Sequence, residues 1–215
     1  MPATQAKICG LKTPEAVAAA ALGGAAYVGM NFFAKSPRYV LPEEAARLTA
    51  PLVRTAVQGV ALVVDPADGE LDAILAAFTP DLIQLHGAET PARVAAIAAR
   101  TGLPIIKVIG VHDRSDIAAA CAYEGAADHL MFDAKPPKDA DLPGGNGVVF
   151  DWTLLDDVKL ARPWFLAGGL DPWNVAEAVR LSRAPLVDVS SGVERGPGVK
   201  DPDLITAFLS AVSRA

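Results

Sequence analysis

Four side chains stand where they could move protons. Cys9 lies in Lys7-Ile8-Cys9-Gly10, a short apolar run closed by a glycine, and a helix-start signal, Lys12-Thr13-Pro14-Glu15, follows within a few residues. A thiol at the end of a strand, backed by a glycine turn, faces a cleft. Strand alternation puts Lys7 on the same face, with Ile8 on the other. His86 closes the run Leu82–His86 on the face of Leu82 and Gln84. Asp133 closes His129–Asp133 on the face of His129 and Met131, and Asp188 and Ser190 oppose Val187 and Val189. A thiolate is a base or nucleophile, a carboxyl group is an acid or base, and a nearby ammonium favours the thiolate. Each residue also has a plainer reading. Free cysteines mostly pack as small hydrophobes, a mouth histidine is often only hydrogen-bonded, an aspartate caps turns, and Asp188 can pair with Lys7.

Two glycine-bearing loops add an anion signal. Leu166-Ala167-Gly168-Gly169-Leu170 and Ser190-Ser191-Gly192-Val193 each end an apolar run. Glycine lets backbone N–H groups approach an anion closely, although glycine also marks ordinary turns. Gly144-Gly145-Asn146-Gly147 is either a further set of donors or a plain loop. Arg38, in Lys35-Ser36-Pro37-Arg38-Tyr39, carries a planar fork suited to a carboxylate.

These groups need a frame that brings strand ends together. Strand-like runs at 6–9, 27–32, 58–64, 82–86, 105–111, 129–133, 164–167 and 186–190 alternate with helical stretches near 14–23, 42–50, 68–78, 90–101, 114–124, 152–158, 172–183 and 201–213. Several helices open on proline, which is tolerated where the missing N–H had no helical partner. Eight strand-plus-helix units predict a single-domain α/β (β/α)8 barrel, the TIM-barrel fold, over residues 1–215. That length is near the short end of a range of roughly 200 to 400 residues. A doubly wound open sheet would carry fewer units. In such a barrel the loops after every strand open on one face, and those after strands seven and eight often hold phosphate.

Composition narrows the classes. Hydrophobic residues make up 52% and charged residues 20%, which excludes disorder, and no apolar run is long enough for a membrane span. The first residues lack a basic segment followed by an apolar one, so no secretory signal is expected. A net charge of -6 argues against nucleic acid as a partner. Cys9 and Cys121 form no disulfide framework and suit the cytoplasm, with Cys121 expected to pack in a helix. No metal-ligand spacing is present, so no metal is expected.

The segments KICGL (7–11), FFAKSPRYV (32–40), QLHG (84–87), HLMFD (129–133), GGNGVVFDW (144–152), FLAGGLDPWNV (165–175), VDVSSGVE (187–194) and PGVKD (197–201) occur in order over nearly the whole chain. Together the set resembles the phosphoribosylanthranilate isomerase family, a tryptophan-biosynthesis barrel enzyme. The resemblance implies an Amadori rearrangement of N-(5'-phosphoribosyl)anthranilate without a metal or organic cofactor. It implies Cys9 as base, Asp133 as acid and Arg38 at the anthranilate carboxylate. It also implies phosphate loops through Gly168, Gly169, Ser191 and Gly192, with Gly145 and Gly147 near a closing loop. Lys7, His86 and Asp188 complete the expected phosphosugar site, in a monomer or homodimer. Asn31 and Ala34 depart from the family pattern, which puts the stiffness of the loop carrying Arg38 in question. The rival enzyme reading, an indole-glycerol-phosphate synthase, wants a lysine pair and a glutamate at strand ends, and Lys107 is the only lysine squarely inside a strand other than Lys7. The non-enzymatic rival is a phosphosugar-binding barrel, which has no need of both Cys9 and Asp133.

Overall fold

The computed structural model describes residues 3–135, 144–145 and 147–215. Eight parallel strands close on themselves in chain order. They are β1 (Gln5–Cys9), β2 (Tyr27–Asn31), β3 (Gln58–Val63), β4 (Leu82–Leu85), β5 (Ile105–Val111), β6 (His129–Ala134), β7 (Trp164–Leu166) and β8 (Leu186–Val189). Among the described residues, seven α-helices lie outside: α1 (Pro14–Leu22), α2 (Pro42–Thr49), α3 (Asp68–Ala77), α4 (Pro91–Thr101), α5 (Arg114–Ala120), α6 (Val175–Ser182) and α7 (Pro202–Val212). Proline at the first turn recurs in α1, α2, α4 and α7, and the Thr13, Thr90 and Asp201 side chains accept backbone N–H groups at three of those starts.

Three expected helices are shorter than their sequence suggests. The stretch at 152–158 forms only a 3-10 turn, Trp152–Leu155, because Asp151 caps it through Thr153 N and later N–H groups bond three residues back. The stretch at 172–183 starts late because the Asp171 carboxylate accepts from Trp173 N and Asn174 N, which holds a turn ahead of α6. The stretch at 114–124 tightens into a 3-10 turn at Cys121–Tyr123, which leaves Cys121 exposed rather than packed. A hairpin that the residue pattern did not reveal, β9 (Glu194–Gly196) and β10 (Val199–Lys200), follows β8.

Alternation divides each strand between two cores. Ile8, Val28, Ile83, Phe132 and Val187 face the helices. Tyr27, Val60, Leu82, Met131, Phe165 and Leu186 fill the lower barrel interior. Along the inward faces polarity rises toward the C-terminal ends: Leu82 gives way to Gln84 and His86, Met131 to Asp133, and Leu186 to Asp188 and Ser190. The apolar floor closes the barrel, and the polar groups collect at its mouth, where they meet one another and solvent. His129 shares the Asp133 face but sits at the opposite end. It packs on Phe165 at 5.8 Å, and burial holds its pKa below the usual histidine value, so it takes no part in the mouth.

Candidate active site

One cavity opens at the C-terminal ends of the strands. Cys9, Arg38, His86, Asp133, Gly145, Gly147, Gly168, Gly169, Asp188 and Ser191 all line it. Lys7 lies beneath as a fully buried cation, and Gly192 stands beside Ser191.

Gly29 makes room for the thiol. In register opposite Cys9, it lacks a Cβ at a point 3.0 Å from Cys9 Sγ and 3.1 Å from Lys7 Nζ. Any side chain there would part the two groups. Lys7 Nζ donates to Asp188 Oδ1 at 2.8 Å, and the strands that carry them pair in register at these residues. Burial opposes the Lys7 charge, but Asp188 and the thiol outweigh it and raise the Lys7 pKa. The thiol responds differently from the sequence expectation. Burial pushes its pKa up; Lys7 and Lys200 pull it down, Asp188 pushes it up, and the net result is upward. Lys7 therefore limits the desolvation of Cys9 without producing a resting thiolate, since Asp188 already takes much of its charge.

Asp133, from β6, lies across the cavity between two glycines. A Cβ on Gly168 would come 3.0 Å from its Oδ1, and one on Gly144 2.9 Å from its Oδ2. His86 Nε2 comes within 3.3 Å of Asp133 Oδ2 but lacks hydrogen-bond alignment. Gln84 Nε2 approaches His86 Nδ1 at 3.3 Å, which favours the tautomer with its proton on Nε2, facing Asp133.

Arg38 is buried rather than solvated, with Nε and Nη2 bonded to the Glu194 carboxylate at 2.8 and 2.9 Å. Gly145 covers it. Its carbonyl lies 3.4 Å from Nη2, and its positive φ of 73° leaves no side chain over the guanidinium. Gly145 thus belongs to the Arg38 end, away from the Gly168–Gly169 loop. The loop carrying Arg38 is stapled by the residue expected to loosen it. Asn31 Oδ1 accepts from Phe33 N at 2.9 Å, its Nδ2 donates to Ser36 Oγ at 3.3 Å, and Ser36 Oγ accepts from Arg38 N at 3.1 Å.

Gly168 and Gly169 take positive φ, 86° and 63°. Gly169, Ser191 and Gly192 N–H groups find no acceptor among the described residues, which leaves donors for an anion at the cavity wall. Gly192 needs no positive φ. Its requirement is closeness, because a Cβ there would strike the Leu170 carbonyl of the preceding loop. Asn146 lies outside the described residues.

Glu194 and Lys200 escaped residue-by-residue reading, as did Gly29; the trace of the first two was their place inside the ordered motifs, and that of Gly29 its place in the strand run 27–32. Lys107 faces the helix layer, where it bonds Glu89 at 2.6 Å and the Gly87 carbonyl at 2.7 Å, so it cannot serve as a barrel-mouth lysine. No group of three His, Cys, Asp or Glu residues able to hold a metal ion occurs among the described residues.

A closed parallel barrel with a thiol and a carboxyl across one mouth cavity, and free N–H donors beside them, defines a (β/α)8 enzyme equipped for acid–base chemistry on an anionic substrate. The family pattern described as N-(5'phosphoribosyl)anthranilate (PRA) isomerase matches residues 6–211. N-(5'-phosphoribosyl)anthranilate isomerase of Caulobacter sp. (strain K31) is 60% identical over 210 residues, spanning 98% of this chain and 99% of its own. Phosphoribosyl anthranilate isomerase from Thermotoga maritima superposes with a TM-score of 0.88 at 33% identity, over 99% of this chain and 100% of its own. A structure of phosphoribosyl anthranilate isomerase in complex with reduced 1-(o-carboxyphenylamino)-1-deoxyribulose 5-phosphate gives 0.83 at 32% identity with the same coverage. The chain belongs to the N-(5'-phosphoribosyl)anthranilate isomerase family and is an enzyme of tryptophan biosynthesis.

Proposed function

We propose that Cys9 is the general base and Asp133 the general acid by which this chain converts N-(5'-phosphoribosyl)anthranilate to 1-(2-carboxyphenylamino)-1-deoxyribulose 5-phosphate. The observation that carries the reading is the placement of both groups, with Arg38, on one cavity. Asp133 protonates the furanose oxygen as the anthranilate nitrogen pushes its lone pair toward C1. The C1–O bond breaks, the ring opens and a cationic Schiff base forms. That cation acidifies the C2 proton and, beside Lys7, favours the thiolate form of a buried thiol. Cys9 takes the C2 proton to leave an enolamine. Protonation at C1 and loss of the C2 hydroxyl proton then give the ketone, so hydrogen has moved from C2 to C1 with no net oxidation. His86, 3.3 Å from the acid, steadies it.

The phosphate is assigned to the N–H groups of Gly169, Ser191 and Gly192, and the anthranilate carboxylate to the Arg38 end. Free backbone donors at one wall and a buried guanidinium at another support this orientation. Among the described residues no helix is long and apolar enough to cross a membrane, and the free thiols Cys9 and Cys121 suit a cytoplasmic setting. The cavity residues assigned here all come from one chain, which suits either a monomer or a homodimer.

The decisive assay follows loss of substrate fluorescence with freshly generated phosphoribosylanthranilate. Cys9→Ser and Asp133→Asn are each expected to fold and bind the reduced product analogue while losing about 10²- to 10⁴-fold or more in turnover. Full turnover in a folded Cys9→Ser overturns the base assignment. Equal losses of analogue binding and turnover in Asp133→Asn make Asp133 a binding group instead.

A further inference from the structure

Behind the Arg38 wall lies a group that the reaction scheme does not use. Lys200, at the end of β10, has a side chain only 2% exposed. Its Nζ meets three acceptors: Glu194 Oε1 at 2.6 Å, the Ser190 carbonyl at 2.8 Å and Ser190 Oγ at 3.2 Å. An ammonium has three N–H donors, so this environment matches the charged form. Burial holds the Lys200 pKa below the usual lysine range while Glu194 pulls it upward.

The charge count around Arg38 decides what that ammonium does. Glu194 binds one edge of the guanidinium through Nε and Nη2, and besides Lys200 it also accepts from Gly198 N at 3.2 Å. Burial opposes its charge, but Arg38 and Lys200 outweigh it and hold its pKa below the ordinary range. An arginine clamped this way is aimed but neutralised, and a neutral pair attracts a substrate carboxylate weakly. Lys7 cannot make up the deficit, because Asp188 balances it. Lys200 restores one net positive charge to the cluster. It also ties two loops together, since Ser190 Oγ in turn donates to the Cys9 carbonyl at 3.2 Å.

We propose that Lys200 is a positioning and charge-balancing residue for the carboxylate end of the substrate: through Glu194 it lets Arg38 be held rigidly and still present net positive charge. The inference rests on the assignment of Arg38 to the anthranilate carboxylate.

The test uses the full chain and two probes, the reduced product analogue, which carries the carboxylate, and ribose 5-phosphate, which does not. Lys200→Met is expected to weaken the analogue about tenfold and leave ribose 5-phosphate within about twofold. Adding Glu194→Gln removes the uncompensated anion and is expected to recover most of the loss; Lys200→Arg is expected to stay near wild type. Should Lys200→Met not fold, Lys200→Gln keeps a donor without the charge and is expected to show the same selective loss. Equal weakening of both probes, or no recovery in the double variant, makes Lys200 a hairpin support and overturns the inference. Arg38→Met separates the two readings. If it spares the analogue, the assignment of the arginine end has failed. If it weakens the analogue while Lys200→Met does not, only the role of Lys200 has failed.

Discussion

Cys9 carries an apparent contradiction, since a base is most useful when its pKa lies near the working pH and burial pushes this thiol upward. Lys7 limits that shift and Asp188 prevents Lys7 from reversing it. In the proposed mechanism the resting thiol stays protonated until the cationic intermediate arrives, and a protonated thiol is also guarded from alkylation and oxidation between turnovers. Iodoacetamide should react slowly with Cys9 near pH 7 and faster as pH rises past about 8.5, the ordinary thiol value. Lys7→Met should slow the reaction at every pH in that range, because the anion Asp188 then acts on the thiol more strongly than the remaining cation, Lys200. A Lys7→Met protein that alkylates as fast as wild type would show that the lysine charge does not reach the sulfur. At the other end of the cavity, Arg38→Met should weaken the reduced product analogue by about 1.5–3 kcal/mol if charge-assisted hydrogen bonds are lost. Inhibition by inorganic phosphate should be unchanged in the same variant; its loss would put the arginine at the phosphate end.

Strand ends and loops decide which of these groups meet. β1 and β2 pair so that Cys9 faces Gly29, and the absent side chain is what lets thiol and ammonium share one space. Gly29→Ala should lower turnover and cost about 1–3 kcal/mol of stability, the usual range for overpacking a full interior. Denaturant midpoints and the fluorescence assay measure the two effects separately, and unchanged values in both would mean the floor has slack. The loops after β7 and β8 press together at Gly192 and the Leu170 carbonyl. Gly192→Val should therefore abolish phosphate inhibition through displacement of both loops, whereas Ser191→Ala should be mild because its backbone N–H remains. A Gly192→Val protein with normal phosphate inhibition would show that the loops can separate without harm to the anion site. In the sequence Gly192 read as a glycine that lets backbone N–H groups approach an anion; contact between two loops is a further reason for it, and only their packing exposes that.

At the scale of the whole molecule, charge burial sets the pH limits of the fold. Glu194 has a lowered pKa in the folded chain. Its contribution is present above the unfolded carboxylate value, about 4.3, and is lost as pH falls through the lower folded value. Cys9 works in the opposite direction. Its raised pKa means that above about pH 8.5 the unfolded chain has lost a proton that the folded chain keeps, so stability falls as pH rises. Thermal melting should be steadiest between about pH 5 and 8. Cys9→Ala should flatten the alkaline limb and Glu194→Gln the acid limb. Limbs unchanged in both variants would assign them to other groups.

The barrel was legible in the residues alone, because period-two inward faces, proline-opened helices and the repeat of eight units are local patterns written along the chain. The sequence also marked Cys9, Asp133 and the glycine loops as candidates, since each is a residue type at a strand end, and the fold brings Cys9, Asp133, Gly168 and Gly169 to one cavity. Arg38 was legible as a candidate, but its burial was not, because Glu194 lies 156 residues away in sequence. Lys107 was legible as a strand lysine without the second lysine that the rival synthase wants, but its partner, Glu89, became visible only in the fold. The Lys7–Asp188 pair was among the readings of the sequence, and closure of the barrel, which sets β1 beside β8, selects it and brings Ser190 to the Cys9 carbonyl. The net charge at each end of the cavity follows from those long-range pairings, and electrostatic energy depends on separation in space rather than along the chain.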